Sequence, residues 1–151
     1  MSLLRPDLSD LPAYQRPPEP PTGVRLHMNE PAQDWPEAPR NALLARLRAM
    51  PFHQYPERQA ELTERLRRRL GAPEGGLLLG PSSGALLDLV AMAGLSAGER
   101  VAIPDPGFSL YPLLVRRHGG RVKLVPQGTG FPLEPWFGAL DCRQLWLTLP
   151  N

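Results

Sequence analysis

The sequence has 151 residues, 42% of them hydrophobic and 21% charged, with a formal net charge of +2; this is a globular composition of about one-domain length. No apolar run approaches the roughly 20 residues that span a bilayer, no secretory signal pattern opens the chain, and the seventeen basic residues are spread over several segments rather than gathered into a nucleic-acid footprint. The expectation is a cytoplasmic protein with neither membrane nor nucleic-acid partners, and the single Cys142 excludes an internal disulfide and reads as structural.

Prolines at positions 6, 12, 17, 18, 20, 21, 31, 36 and 39 preclude regular helix in the first part of the chain. They define an extended N-terminal arm over residues 1–35, with one domain, opened by two helices, over 36–151. Leu43, Leu44, Leu47 and Met50 share one helical face, stopped by Pro51. A second helix starts near Glu57, carries Leu62, Leu66 and Leu70, and ends at Gly71, where a left-handed cap is wanted. Arg67, Arg68 and Arg69 fall in its last turn, where cations favour the helix dipole.

Short apolar runs then alternate with helices. Leu77–Leu79 reads as a buried strand, Ser83–Gly94 as a helix, Val101–Ile103 as a strand, Phe108–His118 as a helix, and Val122–Val125 and Leu145–Leu149 as two further strands. Strand, helix, strand repeated in this way implies an α/β fold with parallel crossovers. In such sheets ligands sit beyond the carboxyl ends of the strands, which directs attention to Gly80–Gly84, Pro104–Phe108 and Pro150-Asn151.

Gly80-Pro81-Ser82-Ser83-Gly84 runs into the apolar helix of Leu86, Leu87, Leu89 and Val90. Free N–H groups, the positive end of the helix dipole and two hydroxyls make a phosphate cradle. Neither a Gly-Lys-Ser/Thr nor a Gly-x-Gly-x-x-Gly pattern is present, so a monophosphate fits better than a nucleotide. Two other readings stand beside it. The segment is also a plain Ser/Gly helix cap, and it spells the Gly-x-Ser-x-Gly nucleophile elbow of an α/β serine hydrolase, with Asp105 and His118 following in hydrolase order. Against the elbow, no glycine-rich oxyanion loop precedes it and His118 suits a helix end. Phe108, after the tight Pro104-Asp105-Pro106-Gly107 turn, offers a ring to stack on a flat heteroaromatic group, and Asn151 offers an amide for a ring hydroxyl. Phosphate, flat pyridine and phenolic oxygen are together the features of pyridoxal 5'-phosphate.

The ordered set Leu26-His27-Met28-Asn29-Glu30-Pro31, Tyr55-Pro56-Glu57, Gly80–Gly84, Pro104–Tyr111 and Leu149-Pro150-Asn151 resembles the histidinol-phosphate aminotransferases, pyridoxal-phosphate enzymes of fold type I. The resemblance runs from about Leu11 to the last residue. It implies the three-layer parallel sheet of the fold-type I large domain, incomplete here and preceded by the Pro-rich arm. It further implies that Ser82, Ser83 and Gly84 contact the cofactor phosphate and that Phe108, in place of the usual tyrosine, stacks on the pyridine. Tyr55 would reach the phosphate in a neighbouring subunit, which implies a homodimer, and Asn29 and Tyr14 would face the substrate. The amide that contacts the cofactor is Asn151 or the residue following it. The family's Ser-Asp-Glu is Ser83-Gly84-Ala85 here, and its Asn-Glu-Asn-Pro is shortened to Asn29-Glu30-Pro31.

The activity so implied is amino transfer between a phosphorylated amine resembling histidinol phosphate and 2-oxoglutarate, a step of histidine biosynthesis. Such chemistry needs a Schiff-base lysine and an acid against the pyridine nitrogen. The only lysine, Lys123, lies in a strand ahead of the Pro150-Asn151 loop, whereas the family's lysine follows that loop. The expectation is therefore a chain truncated before its catalytic lysine, holding cofactor-binding residues and no catalytic one; a non-catalytic binding or dimerising fragment is the remaining alternative.

Overall fold

The computed structural model describes residues 5–12, 18, 22–23, 30–55 and 58–148. Tyr14, Asn29 and Asn151 lie outside the described residues. Contacts divide the chain into two units, Gln15–Leu78 and Met1–Tyr14 joined with Leu79–Asn151.

The Gln15–Leu78 unit contains α1, Glu37–Ala49, and α2, Gln59–Leu70, both as the apolar spacing implies. Pro39 is accommodated in the first turn of α1, where its missing N–H costs no intrahelical bond, and the chain becomes extended at Met50 ahead of Pro51. α2 ends on Gly71 at φ 65°, ψ 21°, with its N–H bonded to the carbonyls of Arg67 and Arg68; this is the left-handed cap that glycine adopts without a Cβ penalty. The arginine cluster serves the same helix. Arg67 and Arg68 each bond Glu64 at 2.6 Å, Arg67 also reaches the Ala72 carbonyl at 2.9 Å, and hydrogen bonds from the two guanidiniums hold the Glu64 carboxyl down to about 2.

The second unit is an α/β layer structure. Strands β1, Arg100–Asp105, β2, Arg121–Pro126, and β3, Gln144–Leu145, form a parallel sheet in the order β2-β1-β3. Helices α3, Ser83–Gly94, α4, Leu110–Arg117, and α5, Glu134–Phe137, complete it. Alternation along β1 sends successive side chains to opposite faces. Val101 and Ile103 pack with Ala91, Leu95, Tyr111, Leu114, Val115 and Trp146 under α3 and α4, while Ala102 packs with Val125, Trp136 and Ala139 on the α5 side. Cys142 is half-buried against that second cluster. The result is the α/β fold with parallel strands that the alternating pattern implies, layered helix, sheet, helix as the resemblance implies, with fully buried Leu114 and Val115 each stabilising by about 1.5–3 kcal/mol.

Three features differ from the sequence expectation. Leu77–Leu79 is not a buried strand: these residues join no ladder, and Leu78 is 65% exposed. A three-residue run bracketed by Gly75-Gly76 and Gly80 has apolar content but, among the described residues, no neighbouring strand to pair with. Of the expected strand Leu145–Leu149, whose last residue lies outside the described residues, only Leu145 is in β3. The Trp146 N–H still bonds the Ala102 carbonyl at 2.9 Å, but the next donor a parallel ladder requires comes from position 104, a proline without an N–H. Pro104 is tolerated inside β1 because the β3 ladder covers only Val101 and Ala102. Finally, α5 was not anticipated. Pro135 is the second residue of its first turn and Trp136 carries its buried contact.

The same unit contains a 3-10 turn over Pro6–Leu8. Beside it, the Arg5 guanidinium donates to the Arg117 carbonyl at 2.7 Å, placing a cation at the C-terminus of α4.

Candidate cofactor site

Ser82 is the N-cap of α3. Its backbone is extended at φ −163°, ψ 161°, and its Oγ accepts from the Ala85 N–H at 3.1 Å. The first helical bond runs from the Leu86 N–H to the Ser82 carbonyl, so the N–H groups of Ser83 and Gly84 precede the intrahelical ladder and point out of the helix start. The Ser82 hydroxyl, engaged as acceptor, retains its proton for donation to an anion. Ser82 and Ser83 are exposed. Small side chains, outward N–H groups and the positive helix end thus coincide, and their chemistry fits a phosphate group.

Gly84 explains how this start lies next to the loop after β1. A Cβ on Gly84 would stand 3.3 Å from Leu110 Cδ2, so α3 and α4 approach closely at their N-termini. Phe108 stands just ahead of α4, where its carbonyl accepts from the Tyr111 N–H at 3.0 Å. The turn leading to it contains a cis Asp105-Pro106 peptide, and a Cβ at Gly107 would overlap the Pro104 carbonyl oxygen. Phe108 is 43% exposed. Its ring meets Tyr111 edge-on at 5.3 Å between centroids, and Tyr111 meets Trp146 in the same manner at 5.2 Å. Ser82, Ser83, Gly84 and Phe108 are therefore gathered at one edge of the second unit. Tyr55 lies in the Gln15–Leu78 unit, 94% exposed.

His118 is not assembled with the Ser82/Ser83 turn as a hydrolase requires. It forms the C-cap of α4, with its N–H on the Leu114 and Arg116 carbonyls, and its ring Nε2 lies 2.9 Å from Asp88 Oδ1 rather than serving Asp105. Gly84 packs at the first residue of α4, whereas His118 follows the last, about 12 Å farther along the axis. The elbow spelling is a helix cap in this fold.

Lys123 is committed elsewhere. Its Nζ donates to the Gly138 carbonyl and pairs with Asp141 Oδ1 at 3.3 Å. Asp141 also pairs with Arg100, and the Lys123 bond, reinforced by Arg100, holds the Asp141 carboxyl below its ordinary range. Tyr111, Thr148 and the Gly84 contact were not singled out from sequence. The available signal was the i, i+3 spacing of Phe108 and Tyr111 at a helix start. Among the described residues no helix is long and apolar enough to cross a membrane, and no group of His, Cys, Asp and Glu could hold a metal ion.

The chain is similar to known aminotransferases. Histidinol-phosphate aminotransferase of Paracidovorax citrulli is 34% identical over 139 residues, covering 87% of this chain and 37% of that protein. The enzyme of the same name from Thiocapsa roseopersicina is 32% identical over 114 residues, covering 74% of this chain and 60% of that protein. An aminotransferase from Mycobacterium tuberculosis of known structure aligns at a TM-score of 0.47 with 25% identity, covering 67% of this chain and 30% of that one. The chain thus spans between about a third and three fifths of the length of these curated relatives. The model for aminotransferases of class I and II matches residues 21–134, three quarters of the sequence, and the chain belongs to that family.

Proposed function

We propose that the start of α3 holds the phosphate of pyridoxal 5'-phosphate, with Phe108 against its pyridine ring, as the cofactor-binding part of an aminotransferase. The observation that carries this reading is the close approach of Gly84 to Leu110, which sets an anion-accepting helix start beside a half-exposed aromatic ring. The Ser83 and Gly84 N–H groups and the Ser82 hydroxyl bind the phosphate; the Phe108 ring orients the pyridine and excludes water from one face. The cofactor supplies an electron sink for carbanion chemistry at the amino-bearing carbon.

By resemblance, the donor is a phosphorylated amine of the histidinol phosphate kind and the acceptor is 2-oxoglutarate, in histidine biosynthesis. Both similar enzymes bear the name histidinol-phosphate aminotransferase. In this reading Tyr14 and Asn29 face the substrate and Asn151 or its successor bonds the ring oxygen. Tyr55 reaches the phosphate of the partner protomer in a cytoplasmic homodimer. Residues 36–151 belong to the large domain, with 1–35 as its arm. No residue of the chain is assigned the covalent catalytic role, since Lys123 is held by Gly138 and Asp141.

Calorimetric titration with pyridoxamine 5'-phosphate tests the reading without engaging any lysine. The chain is expected to bind it, to bind unphosphorylated pyridoxamine much more weakly, and to lose the difference in Ser82→Asp, where a carboxylate meets the phosphate. Equal affinity for both compounds, or a Ser82→Asp variant that binds as well as the parent chain, would overturn it.

A further inference from the structure

We propose that Tyr111 is a positioning residue that fixes the plane of the Phe108 ring for stacking on a flat heteroaromatic ligand; the inference rests on the cofactor reading above. The torsion that turns a phenylalanine ring has broad, shallow minima, so a ring with 43% of its surface open holds one plane only if a neighbour imposes it. Tyr111 is that neighbour. Its ring stands at 86° to Phe108, with centroids 5.3 Å apart.

Tyr111 is itself fixed from two further directions. It is 7% exposed, it meets Trp146 at 81° and 5.2 Å, and its Oη accepts from the Thr148 hydroxyl at 3.2 Å. Trp146 is anchored in turn, its N–H on the Ala102 carbonyl and its indole Nε1 donating to Gln144 Oε1 at 2.7 Å. A continuous path of contacts therefore runs from the sheet through Trp146 and Tyr111 to Phe108. A ring aligned in advance loses less orientational freedom when a ligand stacks on it, and a site held by packed neighbours keeps its geometry.

The test compares two probes, pyridoxamine 5'-phosphate and inorganic phosphate, on the full chain. Phosphate reads only the α3 helix start, whereas pyridoxamine 5'-phosphate reads the helix start and the ring together. A purely structural lesion lowers both affinities alike, and a lesion in ring alignment lowers only their ratio. Tyr111→Leu is expected to lower the ratio by about threefold to tenfold, the range for one aromatic pair, while the affinity for phosphate stays unchanged. Tyr111→Phe and Thr148→Val remove opposite ends of one hydrogen bond, so each is expected to lower the ratio by the same, smaller factor, with no further fall in the double variant. These two variants keep the core volume and carry the test where Tyr111→Leu does not fold.

A ratio equal to that of the parent chain in Thr148→Val and Tyr111→Phe, or in folded Tyr111→Leu, overturns the proposal. Phe108→Ala separates this failure from failure of the cofactor reading. If Phe108→Ala lowers the ratio and the Tyr111 and Thr148 variants do not, only the positioning role is lost. If Phe108→Ala leaves the ratio unchanged, the stacking role of Phe108 itself is lost.

Discussion

Gly84 and Leu110 set the spacing between the starts of α3 and α4, for a Cβ at position 84 would stand 3.3 Å from Leu110 Cδ2. That approach joins the helix cap to the turn carrying Phe108. Replacing Gly84 with leucine overfills it. Overpacking typically costs about 1–3 kcal/mol, and the added bulk is expected to lower the urea midpoint while weakening pyridoxamine 5'-phosphate binding. A Gly84→Leu variant that keeps both the midpoint and the affinity would show that the two helix starts do not depend on this contact.

Ser82 has two separable duties. As the N-cap it accepts from the Ala85 N–H, and Ser82→Ala is expected to lower stability by about 0.5–2 kcal/mol in chemical denaturation. Ser82→Asp preserves a side-chain acceptor and favours the helix dipole, so it is expected to hold stability near the parent value while repelling phosphate. Stability and anion affinity should therefore part company in the second variant and fall together in the first. Loss of stability in Ser82→Asp comparable to that in Ser82→Ala would mean the cap is not reproduced by a carboxylate.

How far the sequence revealed all this depends on the range of the interactions. α3 was legible to its last residue because its boundaries are local: Ser82 caps it, an apolar run fills it, and Leu95 is extended after it. Gly71 likewise ended α2 through its own backbone conformation. The Leu77–Leu79 expectation failed because a strand exists only with a partner, and apolar content cannot supply one. β3 stopped early for a reason written in another strand, the missing N–H of Pro104. Half of the candidate site was visible in the same manner. Ser82, Ser83 and Gly84 announce themselves by composition, but the partnership of Tyr111 with Thr148 spans 37 positions and no local pattern encodes it. The hydrolase spelling shows the converse, since matching letters in the correct order left His118 paired with Asp88.

Asp141 links β1 and β2 to the turn after α5 by pairing with Arg100 and Lys123. Its folded-state carboxyl titrates below the ordinary value of 3.8, chiefly through the Lys123 bond. A depressed acid contributes stability that is fully present above its unfolded value and is lost as pH falls through the folded one. The parent chain is therefore expected to lose urea resistance as pH drops below 3.8, and part of that loss should be missing from Asp141→Asn, which is already weaker at neutral pH. Parallel pH profiles for the two proteins would remove Asp141 from the acid response.

Lys123 provides a chemical check on the division of labour. Covalent cofactor chemistry needs an accessible amine, yet the Lys123 Nζ donates to the Gly138 carbonyl and is paired with Asp141. Both contacts would have to break before Nζ could reach an aldehyde carbon. Borohydride reduction of the chain with stoichiometric pyridoxal 5'-phosphate at neutral pH is therefore expected to leave the Lys123 peptide unmodified in mass spectrometry. Asp141→Asn removes the carboxylate that tethers Nζ, and labelling of the peptide should rise in that variant. Stoichiometric labelling of Lys123 in the parent chain would instead make this lysine the covalent residue and reverse its assignment as a tether between β2 and the α5 turn.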